Sequence, residues 1–259
     1  MALYACFWAL STTNKNINLH MMQTTAQAVL EWRDGLPYST AFDDIYFSSE
    51  DGLLETEYVF IQGNVLNNRW QSLADSSFSI TETGFGTGLN FLCACKTWIE
   101  HAPENAVLHF SSVEKYPLSP ADMHKALQQW HSLETVANEL LAQYETLLNT
   151  GMVILFNGRI RLQVLFGDAT ECLSKLDTKA DAWFLDGFAP SKNPEMWQQA
   201  LFEQMARLSH SETTFATFTS AGMVRRGLTA AGFKVNKQPG FGKKREMING
   251  YFAGNHDGC

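Results

Sequence analysis

The stretch "SITETGFGTGLNFL", residues 79–92, passes from a β-branched run through a glycine-rich turn into a segment whose apolar residues return at helical spacing. A strand, a turn at Gly84, Gly86 and Gly88, and a helix through "GLNFLCACKTWIEH" form the first half of a βαβ unit. Glycines there let a ligand approach the backbone and present it with N–H groups and the positive end of a helix. Such turns also form for structural reasons alone. The rest of the chain has to decide.

Working outward, strands alternate with helices. "AVLHFSSVEK", "RIRLQVLFGDA", "DAWFLDGF" and "TTFATFTS" read as strands, and "SPADMHKALQQWHSLETVANELLAQYETLL", "PEMWQQALFEQMARLS" and "AGMVRRGLTAAG" as helices. This order predicts an α/β fold with a mostly parallel sheet covered on both faces. The last two strands, "FKVNKQ" and "EMINGYFA", have only "PGFGKKR" between them, so one antiparallel strand at the sheet edge is expected. Ahead of the alternating part, "DDIYFS" (43–48) and "TEYVFIQG" (56–63) flank "SEDG" and predict an N-terminal β-hairpin appendage. The 259 residues, 45% apolar and 18% charged, suit one large globular domain, read here as residues 24–254. Residues 1–23 are expected to lie outside it: "MALYACFWAL" is apolar, but no Lys or Arg precedes it and it is too short to span a bilayer. Met21 and Met22 are alternative starts.

Which ligand the glycine turn suits depends on its spacing. The dinucleotide fingerprint G-x-G-x-x-G would require glycine at position 89 after Gly84 and Gly86, where Leu89 stands; Gly88 comes one residue early. This disfavours a nicotinamide oxidoreductase. The E-x-G-x-G-x-G spacing, beginning at Glu82, resembles motif I of S-adenosylmethionine-dependent methyltransferases. Glu114 ends the next parallel strand, where a carboxylate can accept hydrogen bonds from both ribose hydroxyls, and Asp168 ends another, where it could take an adenine amino group. Each acid alone reads first as an exposed loop residue or a helix cap. Together with the turn they form an ordered set at the carboxyl ends of strands, where open α/β sheets bind ligands.

In "DAWFLDGFAPSKNPEMW", residues 181–197, Asp186 ends an apolar strand and is followed by Gly-Phe-Ala-Pro, which delays the next helix. Read plainly this is a turn. It is also similar to the Asn/Asp-Pro-Pro-aromatic motif of amino-group methyltransferases, with different prolines and with Phe188 as the aromatic residue. An alkyl amine is mostly protonated at neutral pH and cannot attack a methyl group until it loses a proton. A partly desolvated carboxylate then serves as base or orienting acceptor, and the enzyme's further task is alignment.

The segments "ETGFGTGLNFL", "VEKYPLSPADM", "DAWFLDGFAPSKNPEMW", "ATFTSAGMVRRGL" and "GFGKKREM" resemble, in order, the methyltransferase domain of the bacterial tRNA 5-methylaminomethyl-2-thiouridine biosynthesis (MnmC) family, from about Phe42 to Gly250. The resemblance implies a class I, Rossmann-like methyltransferase fold and methylation of the aminomethyl group on a tRNA wobble uridine, with S-adenosyl-L-methionine as donor. It implies a catalytic role for Asp186, with Phe188 beside it, and cofactor positions at Glu82, Gly84, Gly86, Gly88, Glu114 and Asp168. Bifunctional members of the family continue into a FAD-dependent domain that exposes the amine. This sequence has no second glycine fingerprint before Cys259, so no FAD and no oxidation are expected of it, and a partner domain or separate enzyme would supply the aminomethyl uridine.

A net charge of −8 sits awkwardly with a tRNA substrate, but the charge is uneven. Residues 190–253 carry Lys192, Arg207, Arg225, Arg226, Lys234, Lys237, Lys243, Lys244 and Arg245 against only Glu195, Glu203, Glu212 and Glu246. "VRRG" and "GKKRE" place Arg225, Arg226, Lys243, Lys244 and Arg245 as the expected phosphate contacts, the plain alternative being a solvated helix face and a charged turn. Trp197 reads as core. Cys6, Cys93, Cys95, Cys172 and Cys259 show neither disulfide nor zinc spacing, and Cys93 and Cys95 point away from one another on a helix, so no metal and a reducing cytoplasm are expected. No other stretch approaches transmembrane length. A methyltransferase of small-molecule or protein amines would share the cofactor residues and Asp186, and a non-enzymatic tRNA-binding module would need a vestigial cofactor site.

Overall fold

The structure, a computed structural model, describes residues 26–47, 51–74 and 76–254. The proposed extension at residues 1–23, Cys6, Cys259 and the first two residues of the "SEDG" turn lie outside the described residues.

An antiparallel three-stranded sheet comes first: β1 (Leu30–Arg33), β2 (Leu36–Ser39) and the two-residue β3 (Asp44–Ile45). Asp34 and Gly35, both at positive φ (50° and 81°), close the β1–β2 hairpin in register Arg33↔Leu36. An Asp-Gly pair suits such a turn because two left-handed residues match the twist of the flanking strands. The N-terminal hairpin thus exists, but not where the sequence reading placed it: among the described residues of "DDIYFS" only Asp44 and Ile45 pair, and "TEYVFIQG" is helical. Asp51 accepts the Leu54 N–H (3.0 Å) and starts α1 (Gly52–Thr56), which continues as a π-helical segment, Glu57–Gln62. Val59, Phe60 and Ile61 are all buried there, and Phe60 stacks on Phe184 of the main sheet with ring centroids 5.0 Å apart. That burial outweighs the strand preference of its β-branched and aromatic residues.

After α2 (Leu66–Gln71) the alternation begins: β4 (Ser77–Thr83), α3 (Leu89–His101), β5 (Val107–Glu114), α4 (Pro120–Leu127), α5 (Glu134–Thr150), β6 (Met152–Leu155), β7 (Ile160–Phe166), α6 (Ala169–Ser174), β8 (Ala180–Leu185), α7 (Gln199–Arg207), β9 (Ser209–Thr217), α8 (Gly222–Ala230), β10 (Phe233–Pro239) and β11 (Glu246–Phe252). The eight-stranded sheet has the order β10-β11-β9-β8-β4-β5-β7-β6, with β4, β5, β7, β8 and β9 parallel. An antiparallel strand does close one edge, but it is β6, a strand absent from the sequence reading. At the other edge β11 pairs antiparallel with both β9 and β10, so the antiparallel strand stands one place in.

Side-chain alternation along the central strands divides the core in two. Ala182 and Phe184 of β8 join the cluster beneath α2, α3 and α5, whereas Trp183 and Leu185 join the one beneath α6, α7 and α8. Trp70 packs edge-on against Trp98, and Trp197 is 1% exposed, as its reading as core required. The chain leaves β4 toward β5 and β7 on one side and returns to β8 and β9 on the other, which makes the carboxyl ends of β4 and β8 the topological switch point. Among the described residues no helix is long and apolar enough to cross a membrane.

Candidate active site

The switch point opens into a cavity of about 760 Å³. Its floor is the β4–α3 turn. Thr83 Oγ1 accepts the Asp186 N–H (3.0 Å) and donates to the Asp186 carbonyl (2.7 Å), pinning the ends of β4 and β8 together. Gly84 lies against this junction at φ +80°, where a Cβ would stand 3.2 Å from Gly187 Cα, so both the backbone angle and the space call for glycine. The Gly86 N–H donates to Glu114 Oε2 at 2.8 Å and the Tyr116 N–H to Glu114 Oε1 at 2.7 Å. One carboxylate thereby ties the glycine turn to the loop after β5. Burial raises its pKa, and these backbone donors work against that rise.

Asp168 lines the cavity beside Gly167 and also caps α6, Oδ1 accepting from the N–H groups of Thr170 (3.0 Å) and Glu171 (3.3 Å). The helix-cap reading and the cavity position are both realised in one residue. Glu82 and Gly88 fall elsewhere. Glu82 is 0% exposed beneath the floor, accepting from Asn90 Nδ2 (3.0 Å) and Ser112 Oγ (2.6 Å), and burial holds its pKa well above the carboxylate range. Gly88, at φ +72°, starts α3 and faces the Phe85 ring and Leu140.

Asp186 lines the opposite wall. Its Oδ2 accepts from Asn90 Nδ2 at 2.6 Å, and burial pushes its pKa from 3.8 to about 6, against the Gly187 N–H, Asn90 and Lys244, which favour the anion. Phe188 is stacked on Phe42 (centroids 4.6 Å apart) and meets Tyr46 edge-on (5.2 Å), so rings of the N-terminal segment cover part of it. The loop after Asp186 takes its non-helical course from its anchors. Trp197 Nε1 donates to the Phe188 carbonyl (3.0 Å), the Ala189 N–H to Asp44 Oδ2 (3.3 Å), and Lys192 pairs with Asp43.

Of the basic residues, Lys243 and Lys244 line the cavity mouth, Lys244 paired with Glu55 and 4.6 Å from the Phe218 ring centroid. Arg225, Arg226 and Arg245 lie off the cavity. Asn90, Thr56, Phe42, Tyr46 and Glu55 line it as well, none of them marked in the sequence reading. Asn90 carried one signal: a polar residue amid the apolar "LNFL" that opens α3. Among the described residues no three His, Cys, Asp or Glu side chains are grouped to hold a metal.

Residues 131–253 match a protein family described as S-adenosyl-L-methionine-dependent methyltransferase. Two curated proteins named tRNA 5-methylaminomethyl-2-thiouridine biosynthesis bifunctional protein MnmC are each 55% identical to this chain. The Methylobacillus flagellatus protein aligns over 229 residues, 88% of this chain, and the Chromobacterium violaceum protein over 232 residues, 89%; each alignment covers 35% of the relative. The chain thus spans about a third of the length of the curated relatives it matches. The crystal structure of MNMC2 from Aquifex aeolicus superimposes with a TM-score of 0.70 at 21% identity, over 90% of this chain and 72% of that one, and shows the same fold. The chain belongs to the S-adenosyl-L-methionine-dependent methyltransferases as a methyltransferase domain homologous to MnmC.

Proposed function

We propose that the chain methylates the 5-aminomethyl group on the wobble uridine of tRNA, using S-adenosyl-L-methionine and giving 5-methylaminomethyl(-2-thio)uridine. The observation that carries this reading is the position of Asp186: a largely desolvated carboxylate with a pKa of about 6 faces the same cavity as the Gly84–Gly86 turn, Glu114 and Asp168. The MnmC relatives, named for this modification, support the choice of substrate.

The residues present suit the cofactor. Gly84 and Gly86 let the turn pack close against Gly187 and the Tyr46 ring, where a Cβ would stand 3.2 Å and 3.4 Å away, and the cavity volume falls in the range of small-molecule sites. Glu114, with each oxygen already oriented by one backbone N–H, keeps lone pairs for two ribose hydroxyls. Asp168 stands at the next strand end for the base. When bound, S-adenosyl-L-methionine supplies an electrophilic methyl carbon on a positively charged sulfur.

Asp186 takes the proton that the substrate ammonium must lose. A pKa of about 6 leaves it mostly ionised at neutral pH yet more basic than an ordinary aspartate, the compromise a general base needs. Thr83 fixes its backbone and Asn90 its Oδ2, so the carboxylate is oriented before substrate arrives. Phe188 walls the site, and Lys243 and Lys244 at its mouth, with Arg245, Arg225 and Arg226 beyond, contact tRNA phosphates. Glu82 and Gly88 shape the floor from below. The substrate reading places the protein in the cytoplasm, as one domain over residues 24–254, served by a FAD-dependent domain or enzyme that exposes the amine.

The test is incubation with labelled S-adenosyl-L-methionine and tRNA from cells lacking the activity, followed by nucleoside mass spectrometry. Label in 5-methylaminomethyl uridine is the expected result. Label in a small-molecule or protein amine, with none in tRNA, would overturn the substrate assignment.

A further inference from the structure

The Asp186 carboxylate is one corner of a buried polar cluster centred on Asn90, which is 7% exposed at the start of α3. Asn90 Nδ2 donates to Asp186 Oδ2 at 2.6 Å and to Glu82 Oε1 at 3.0 Å, while its Oδ1 accepts from Thr56 Oγ1 at 2.9 Å. An amide nitrogen has two hydrogens, and both go to carboxyl groups. The Thr56 hydroxyl, on α1, fixes which way the amide faces. Turned over, Asn90 would aim its carbonyl at two carboxyl groups and deprive each of one donor.

Two carboxyl groups that share one amide in a low-dielectric site do not both ionise readily. Glu82 is fully enclosed, with Ser112 Oγ at 2.6 Å from Oε2, and its burial favours the neutral form; Asp186 opens to the cavity and ionises more readily. The other charged groups facing this pair are Glu55 on α1 and Lys244 before β11, which face Asp186, and Glu114 at the end of β5, which faces Glu82.

We propose that Asn90, its amide oriented by Thr56 and anchored on Glu82, is the positioning residue that aims the Asp186 carboxylate at the amine. The inference rests on the reading of Asp186 as the base. It assigns a role, exerted through Asp186, to a cavity-lining residue of α3.

The experiment measures single-turnover methyl transfer to tRNA against pH in the full chain for Asn90→Ala, Thr56→Val, Thr56→Ser and Asp186→Asn, with S-adenosyl-L-methionine affinity by calorimetry. For Asn90→Ala the expected result is a rate about ten- to a hundredfold lower near neutral pH, within the span of general-base effects. Its acid limb should move up by about one pH unit from near 6, because a charge-assisted hydrogen bond to the anion is lost. Methyl-donor affinity should stay within about threefold, since a hydrogen bond to the donor itself would matter more. Thr56→Val should move the limb the same way by less, and Thr56→Ser, which keeps the hydroxyl, should restore it. This pair keeps the test open if Asn90→Ala fails to fold. Unmoved acid limbs in Asn90→Ala and Thr56→Val, beside a crippled Asp186→Asn, would overturn the positioning role alone. A parental rate in Asp186→Asn would overturn the base reading and this inference with it.

Discussion

Strand β8 carries an aspartate near each end, and the two live in opposite surroundings. Asp181, at the amino end, accepts the Ser79 N–H at 2.6 Å, lies 3.0 Å from His210 Nε2, and offers its backbone carbonyl to Arg69. Asp186, just past the carboxyl end, shares an amide with Glu82 and faces Glu55, so two carboxyl groups stand near it, opposed by the Gly187 N–H, Asn90 and Lys244. Residue type and strand are the same; the neighbours differ. At the amino end cationic and N–H donors make a structural joint between β4, β8 and β9. At the carboxyl end burial and like charge keep a carboxylate at higher free energy than water would, which is how a fold retains basicity for chemistry.

The sharpest way to break this contrast is to neutralise each aspartate in turn. Asp186→Asn should lower the rate of methyl transfer by about 10²- to 10⁴-fold near neutral pH, the usual weight of a general base, while Asp181→Asn should leave it within about twofold. Equal losses in the two variants would erase the distinction.

Stability should respond in the reverse sense. A carboxyl whose pKa rises from 3.8 to about 6 on folding binds its proton more tightly in the native state, so its ionised form weakens the fold above about pH 6 and this penalty is gone below about pH 4. Asp186→Asn should therefore raise unfolding free energy by about 2–3 kcal/mol at pH 7 and by little at pH 4. Asp181→Asn should lower it by about 1 kcal/mol, the worth of an ordinary hydrogen bond. Urea unfolding at the two pH values measures both, and an Asp186→Asn variant less stable than the parent at pH 7 would contradict the account.

Smaller effects bear on the rest of the cavity. Asp168→Ala and Gly86→Val should each weaken S-adenosyl-L-methionine binding about tenfold or more in calorimetry, the first by removing an acceptor. The second forces a branched side chain to φ +52°, with its Cβ 3.4 Å from the Tyr46 ring. NADH should not compete. Replacing Lys243, Lys244 and Arg245 together by alanine should lower tRNA affinity several-fold at low salt and flatten its salt dependence by up to about three phosphate contacts, leaving methyl-donor affinity intact. Identical salt curves for variant and parent would move the phosphate footprint elsewhere.

Much of this contrast is legible in the sequence because local signals and tertiary demands agree along the parallel strands. "SITETGFGTG" is a strand, a left-handed glycine turn and a helix start in both sequence and structure, and Gly84, Gly86, Glu114, Asp168 and Asp186 meet in one cavity because parallel strands deliver their carboxyl ends to one side. "TEYVFIQG" misleads because its strand-forming residues are used to cover Phe184 from a π-helical segment. The real hairpin had a signal, Asp34-Gly35, between short runs of mixed polarity that weaken it. Asn90 shows what sequence spacing does not convey: its importance comes from residues 8 and 96 positions away and from Thr56, 34 positions before it.

The most direct test of Asp186 as a base is the ratio of parental to Asp186→Asn single-turnover rates on aminomethyl-uridine tRNA from about pH 6.5 to 10, both saturated with S-adenosyl-L-methionine. The parent's rate should level off above its acid limb near pH 6, and the variant should recover part of its loss as free amine accumulates and no longer needs a base. The account predicts a ratio of about 10² or more near neutral pH that narrows steadily as pH rises. A ratio near one at neutral pH, or a large ratio unchanged across the whole range, would contradict it.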